Sequence, residues 1–277
     1  MARGATVVCG IVLALLTSPP SARAGWIIDQ VVREGNATSR QQLLFESDRM
    51  KTVVLDATGQ PLAAVIVDLG AQTITQIDYL GRHYVTATID EHVRAAQQAR
   101  QQALSELTEV TKQVERDTVD LPPSERAEID GAMREQLKQA ASSSRPCRTP
   151  RAQLRKTGRR EVIAGYEAVS HEVLVDGKRD SEVWIAPGIS AWRELDARKV
   201  ERFSIEIARL SACSEEGEVR RLRDGSALKA REGFAVRTMV SNGGAAQEVV
   251  KAEQRAVPPE EFEPPSGFAR AALALPH

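Results

Sequence analysis

The stretch His83-Tyr84-Val85-Thr86-Ala87-Thr88-Ile89 puts Val85, Ala87 and Ile89 on one side of the chain and Tyr84, Thr86 and Thr88 on the other. A two-residue period of this kind belongs to a half-buried β-strand. Beyond Asp90, read as an N-cap, the period changes. Val93, Ala96, Ala103, Leu104, Leu107, Val110, Thr111 and Val114 recur every three or four positions, with Gln, Arg and Glu between them. That spacing predicts an amphipathic helix of about 24 residues, about 36 Å long. The switch from strand period to helix period sets the fold class as α+β.

Upstream, Val65, Val67 and Leu69 repeat the strand pattern, and Leu43 to Phe45 and Met50 to Leu55 read as further strands. Asp56-Ala57-Thr58-Gly59 and Leu80-Gly81 supply the turns. Downstream, Leu121-Pro122-Pro123 breaks the helix, and Ser124 to Ala141 carries a weaker stripe through Ile129, Met133 and Leu137. Two antiparallel helices joined by this turn make a hairpin inserted at residues 91–145. A second β block begins near Glu161: Val169, Val173 and Val175 share a face, Asp176-Gly177 turns the chain, and Val183-Trp184-Ile185 returns it. Ala191 to Cys213 reads as a further helix. Phe234 to Val240 and Val249 to Val257 read as the last two strands, with Asn242-Gly243-Gly244 between them. The tail from Pro258, residues 258–277, is Pro-rich and reads as irregular chain.

The first 24 residues have the layout of a secretory leader: Arg3, an apolar run from Ala5 to Leu16, and Ser21-Ala22-Arg23-Ala24 as a small-x-small cleavage site. The run is too short for a membrane span, and Ser18-Pro19-Pro20 ends it. The expected product is a periplasmic or secreted chain beginning at Gly25, with residues 25–257 as one domain and no transmembrane segment. Acidic and basic side chains nearly balance, at 38 and 37, so nothing in the overall charge favours nucleic acid. Aromatic residues make up only 4% of the chain, which predicts a core of Val, Ile, Leu and Ala.

The sequence contains no Gly-x-Ser-x-Gly elbow, no His-Glu-x-x-His, no phosphate-cradling Gly-rich loop and no Ca²⁺ loop. His83 and His171 sit at strand positions with apolar neighbours two residues away, which suits packing residues better than ligands. No catalytic, cofactor-binding or metal-binding residue is assigned, and the chain reads as a non-enzyme. Arg145, Arg148, Arg151, Arg155, Lys156, Arg159 and Arg160 form a run without an acid. Two readings apply to it: a solvated linker paired with acids such as Glu260, Glu261 and Glu263, or a patch for anionic lipid or an acidic partner.

Three local patterns resemble the bacterial family known as domain of unknown function 4412. They are Ile77-Asp78 with Gly81-Arg82-His83-Tyr84; Thr157-Gly158, Ile163-Ala164-Gly165-Tyr166, the Gly177 turn and Val183-Trp184-Ile185-Ala186; and Phe262-Glu263-Pro264-Pro265-Ser266-Gly267-Phe268. The resemblance implies a secreted, strongly curved antiparallel sheet, a half-barrel similar to periplasmic lipoprotein carriers, with helices plugging its concave face. It carries over no catalytic residue. The long helical insert and the cysteine pair depart from the pattern. Under this reading Val65, Val67, Val85, Ile89, Val169 and Val173 line an apolar cavity for a lipid or other apolar ligand. The alternative is an envelope interaction module that uses the helical insert on a protein partner.

Of the three cysteines, Cys9 lies in the leader, and Cys147 and Cys213 remain. In an oxidising compartment an even pair favours a disulfide. Closing a loop of about 66 residues stabilises by about 4 kcal/mol in the chain-entropy model. Thiol titration of the unfolded, unreduced protein should find no free thiol at either cysteine. Two titratable thiols per chain would refute the pairing.

Overall fold

The computed structural model describes residues 24–35, 37–118, 122, 124–125, 129, 131–132, 152–210, 232–240 and 246–273. Six strands come first: β1 (Ala24–Glu34), β2 (Ala37–Glu46), β3 (Arg49–Leu55), β4 (Pro61–Asp68), β5 (Thr73–Asp78) and β6 (His83–Thr88). Helix α1 (Ile89–Asp117) follows, then β7 (Ala152–Ile163), β8 (Tyr166–Val175) and β9 (Lys178–Ala186). A 3₁₀ turn (Ala191–Glu194) leads to α2 (Ala197–Leu210), and β10 (Phe234–Val240) and β11 (Ala246–Ala256) complete the second half. A 3₁₀ turn at Pro259–Phe262 and the short β12 (Ala269–Arg270) end the described chain.

All the strands join one open, curved sheet in the order β12-β6-β5-β4-β3-β2-β1-β11-β10-β9-β8-β7. Every pairing is antiparallel except β12 with β6. Two meanders, β1 to β6 and β7 to β11, are therefore fused along β1 and β11. Their register runs from Ala24 opposite Ala256 to Arg33 opposite Ala246, with a bulge between Asp29 and Gln30. The tight hairpins have positive φ at both central residues, as type I′ turns require: Ser47-Asp48, Ala164-Gly165 and Asp176-Gly177.

Both faces of the central strands are covered, which explains why Trp26-Ile27-Ile28 is buried throughout rather than alternately. On one face Trp26, Ile28, Phe45, Val67, Leu69, Trp184, Phe234, Val236 and Val249 pack against Ile189, Ala191 and Leu195. On the other, Ile27, Leu44, Val53, Ala64, Ile66 and Ile77 meet Val257 and Phe262, with Phe268 alongside. The C-terminal segment is thus a cover for the sheet. Lys51, buried beneath it, donates to the Glu261 carbonyl at 2.7 Å and also contacts the Glu261 carboxylate.

Four local expectations need correction. Helix α1 is capped by Thr88 rather than Asp90. The Thr88 hydroxyl accepts from Glu91 N at 3.2 Å, while the Glu91 carboxylate accepts from Thr88 N at 2.7 Å, a reciprocal capping box. The helix expected from Ala191 is interrupted: Leu195 is extended (ψ 135°), so a 3₁₀ turn and α2 replace one continuous helix. The second β block begins at Ala152, not near Glu161. Finally, the basic run is no linker where it is described, since Arg155 and Arg159 to Arg160 lie on β7, the outermost strand of the sheet.

Those arginines pair with acids of the neighbouring strands, not with the C-terminal acids: Arg155 with Glu172, Arg159 with Glu182, and Arg160 with Glu167. A row of Lys and Arg on an edge strand also discourages edge-to-edge association. Arg145 to Arg151, Cys147, Cys213 and the turn Asn242-Gly243-Gly244 lie outside the described residues. So does most of the stretch Ser124–Ala141, where a second helix is expected; its described residues Ser124, Glu125, Ile129, Gly131 and Ala132 are helical.

Ile28, at the centre of the middle strand, has no exposed surface. Ile28→Ala should cost about 2 to 5 kcal/mol in chemical denaturation, whereas Val250→Ala on the exposed side of β11 should stay within about 0.5 kcal/mol. Equal effects would contradict the placement of the core.

Candidate functional site

Between the sheet and α2 lies a groove of about 380 Å³. Its floor is formed by Leu43, Met50, Thr52, Val67 and Leu69 from β2 to the end of β4. Its far wall is Val200, Phe203, Ser204 and Ile207 of α2, with Leu195 before it. The wall follows from the sequence of α2: Val200, Phe203 and Ile207 recur at helical spacing and so share one side. One end is aromatic. Phe45, Trp192 and Phe234 meet pairwise, with centroid separations of 5.3, 6.0 and 5.9 Å.

A turn holds the start of this wall. Asp48, at φ 66° in the β2–β3 hairpin, accepts from Asp196 N at 2.6 Å, and its other oxygen meets Lys199 Nζ at 2.6 Å. Asp48 N in turn donates to the Glu194 carbonyl at 2.9 Å. Asp196 itself accepts from Arg198 N and Lys199 N at 2.9 and 3.1 Å, capping the first turn of α2. Burial alone would raise the Asp48 carboxyl, but the Lys199 hydrogen bond, the Asp196 amide and the Lys199 charge outweigh it and hold it below the usual carboxylate range.

The polar part of the groove is a chain of three amides. Gln30 and Gln41 sit directly opposite each other in the β1–β2 register, and Gln30 Nε2 donates to Gln41 Oε1 at 2.8 Å. Gln247, two residues from the register partner of Gln30 on β11, donates from Nε2 to Gln30 Oε1. Gln30 is only 4% exposed. No residue lining the groove carries a charge.

The six valine and isoleucine positions expected to line a cavity are spread across the fold. Val67 lines the groove. Val65 is 41% exposed, Val85 is half-buried on β6, and Ile89 is buried at the start of α1. Val169 is half-buried opposite Ile185, and Val173 packs beside Val183, Ile185 and Ala235 in a separate cluster. What the sequence reading passed over is the glutamine chain and the α2 wall. The available signal was a polar residue in an apolar register, Gln30 two positions after Ile28 and Gln41 two before Leu43.

A charged cluster lies on the second meander. Ser170 donates to Glu182 Oε1 at 2.8 Å, and Arg159 and Arg179 both pair with this carboxylate. Burial would raise Glu182, but the hydrogen bonds from Arg159 and Ser170 and the two guanidinium charges prevail and lower it. The neighbouring His171 faces the other way, with Nδ1 3.0 Å from the Val169 carbonyl. His83 Nδ1 is 3.7 Å from Asp78. The cluster neutralises charge within the sheet, with Arg159 and Arg237 stacked over Trp184. Among the described residues no group of three His, Cys, Asp or Glu side chains is placed to hold a metal ion, and no helix is long and apolar enough to cross a membrane.

The model of the family described as Domain of unknown function (DUF4412) matches residues 130–268, half of the chain, and the chain belongs to that family. No curated protein matches it. Among solved structures it is similar to an uncharacterized conserved protein from Thermus thermophilus, with 8% identity, TM-score 0.42, and coverage of 91% of this chain and 92% of that one. It is also similar to a chain of the Pseudomonas aeruginosa MucA/MucB complex, with 10% identity and TM-score 0.38 over 91% of this chain and 60% of that one. A crystal structure of MucB gives 11% identity and TM-score 0.37 over 90% and 60%.

Because the folded Glu182 carboxyl titrates below its unfolded value, its contribution is present above about pH 4.5 and is lost as pH falls through the lower folded value. Stability of the wild-type protein should therefore drop as pH falls below about 4.5, and Glu182→Gln should flatten that part of the profile while costing about 1 to 3 kcal/mol at pH 7. An unchanged slope in the variant would contradict the assignment.

Proposed function

For a member of a family whose description assigns no chemistry, we propose that the groove between the sheet and α2 binds an apolar ligand, an acyl chain or similar body, and that the protein acts as a non-enzymatic carrier or sensor of it outside the cytoplasm. The observation that carries this reading is the groove itself, whose volume of about 380 Å³ falls in the range of small-molecule sites. Its walls are Leu, Met, Val, Phe and Ile, with a few fixed polar groups to orient a ligand. Apolar burial supplies affinity at about 25 cal/mol per Å² before ordering costs. The export part rests on the leader read over residues 1–24.

One observation favours a second reading, a protein-interaction module that uses α1. None of Val93, Ala96, Leu104, Leu107 and Val114 is fully buried, and Val110 on the same helix is 52% exposed. Helix α1 is 29 residues long, so this side extends over about 44 Å.

Titration with N-phenylnaphthylamine, an uncharged polarity-sensitive fluorophore, should show saturable binding at micromolar concentration, which corresponds to about 8 kcal/mol. Phe203→Glu places a charge at a half-buried position of the α2 wall and should weaken binding at least tenfold while circular dichroism stays unchanged. A folded wild-type protein without saturable binding would remove the carrier reading and leave the interaction module.

A further inference from the structure

Resting on the carrier reading, the groove also restricts the head of its ligand. Lined by uncharged residues, it offers no opposite charge to a carboxylate, a phosphate or an ammonium, and a charge brought out of water without a counter-charge is strongly disfavoured. It is not simply greasy, however. In the chain Gln247 to Gln30 to Gln41 each inner amide group is used once, so the Nε2 of Gln41 and the Oε1 of Gln247 are left at its ends with no partner among the described residues. Reversing all three amides would exchange the two roles without removing either, because a row of three amides always ends in one donor and one acceptor. Trp192 closes the aromatic end of the groove; its indole Nε1 is buried away from the open space and has no hydrogen-bond partner among the described residues.

We propose that the groove selects amphiphiles with an uncharged head that both accepts and donates hydrogen bonds, such as a hydroxy-ester or a primary amide on an alkyl chain. The head sits at the amide chain of Gln30, Gln41 and Gln247, and the chain lies between Met50 and Phe203.

The test is displacement of N-phenylnaphthylamine from the whole protein by four ligands of one chain length: a monoacylglycerol, the corresponding fatty-acid anion at pH 8, the alkylammonium, and the plain alkane. The monoacylglycerol should displace at a concentration at least tenfold below each of the other three. Gln30→Leu, which keeps the shape but breaks the amide chain, should bring the ratio between monoacylglycerol and alkane close to one. If the fluorophore binds but the anion or the alkane displaces as well as the monoacylglycerol, the head-group inference falls and the apolar groove stands. An unchanged ratio in a folded Gln30→Leu variant also overturns it. If the fluorophore does not bind at all, the groove reading and this inference fall together.

Discussion

Everything else in the structure hangs on the ladder between β1 and β11. It pairs the first described residues of the chain with residues more than 200 positions later, from Ala24 opposite Ala256 onward, and so turns two separate meanders into one sheet. Within each meander most pairings join neighbours in sequence, three of them through type I′ turns, while α2 separates β9 from β10. The ladder is a contact of long sequence separation, closed only after the chain between has been ordered. The packing at its start is tight: a side chain at Gly25 would collide with the Phe45 carbonyl and with Val257. Because that position admits only glycine, the ladder, β2 and the C-terminal cover are fixed to one another at a single point.

The groove is a consequence of that fusion. Its floor belongs to the first meander, through Leu43, Met50 and Val67, while α2, Phe234 and Gln247 belong to the second. The amide chain crosses the seam, Gln41 and Gln30 on one side and Gln247 on the other. The bulge between Asp29 and Gln30 shifts the register there, so that Gln247 reaches Gln30 diagonally. Asp48 spans the same divide, joining the β2–β3 hairpin to the start of α2. On the opposite face Val257, Phe262 and Phe268 pack against the first meander.

Much of this was legible in the sequence, and the reasons for the rest are specific. The strands around Val65 and Val85 and the hairpin at Asp176-Gly177 follow from local period and turn chemistry, which need no partner to be read. The site did not follow, because alternation tells which residues share a face but not which face has a gap. Val65 and Val67 share one face of β4, yet Val67 lines the groove and Val65 is 41% exposed. Leu195 broke an apparently continuous helical stripe, since the stripe through Leu195 and Val200 serves a 3₁₀ turn and a helix equally well. The arginines of β7 looked like a linker because their acids, Glu172 and Glu182, are supplied by strands that only the fold places beside them.

The central claim is that an apolar ligand lies between the β2–β4 floor and α2. Photolabelling of the whole protein with an uncharged alkyl diazirine, followed by peptide mapping, tests it most directly. The account predicts label on peptides carrying Leu43 and Met50 and on those carrying Phe203 and Ile207, suppressed by excess unlabelled alkyl ligand. Label confined to outward positions such as Val162 and Val250, or label that excess ligand does not suppress, would contradict it.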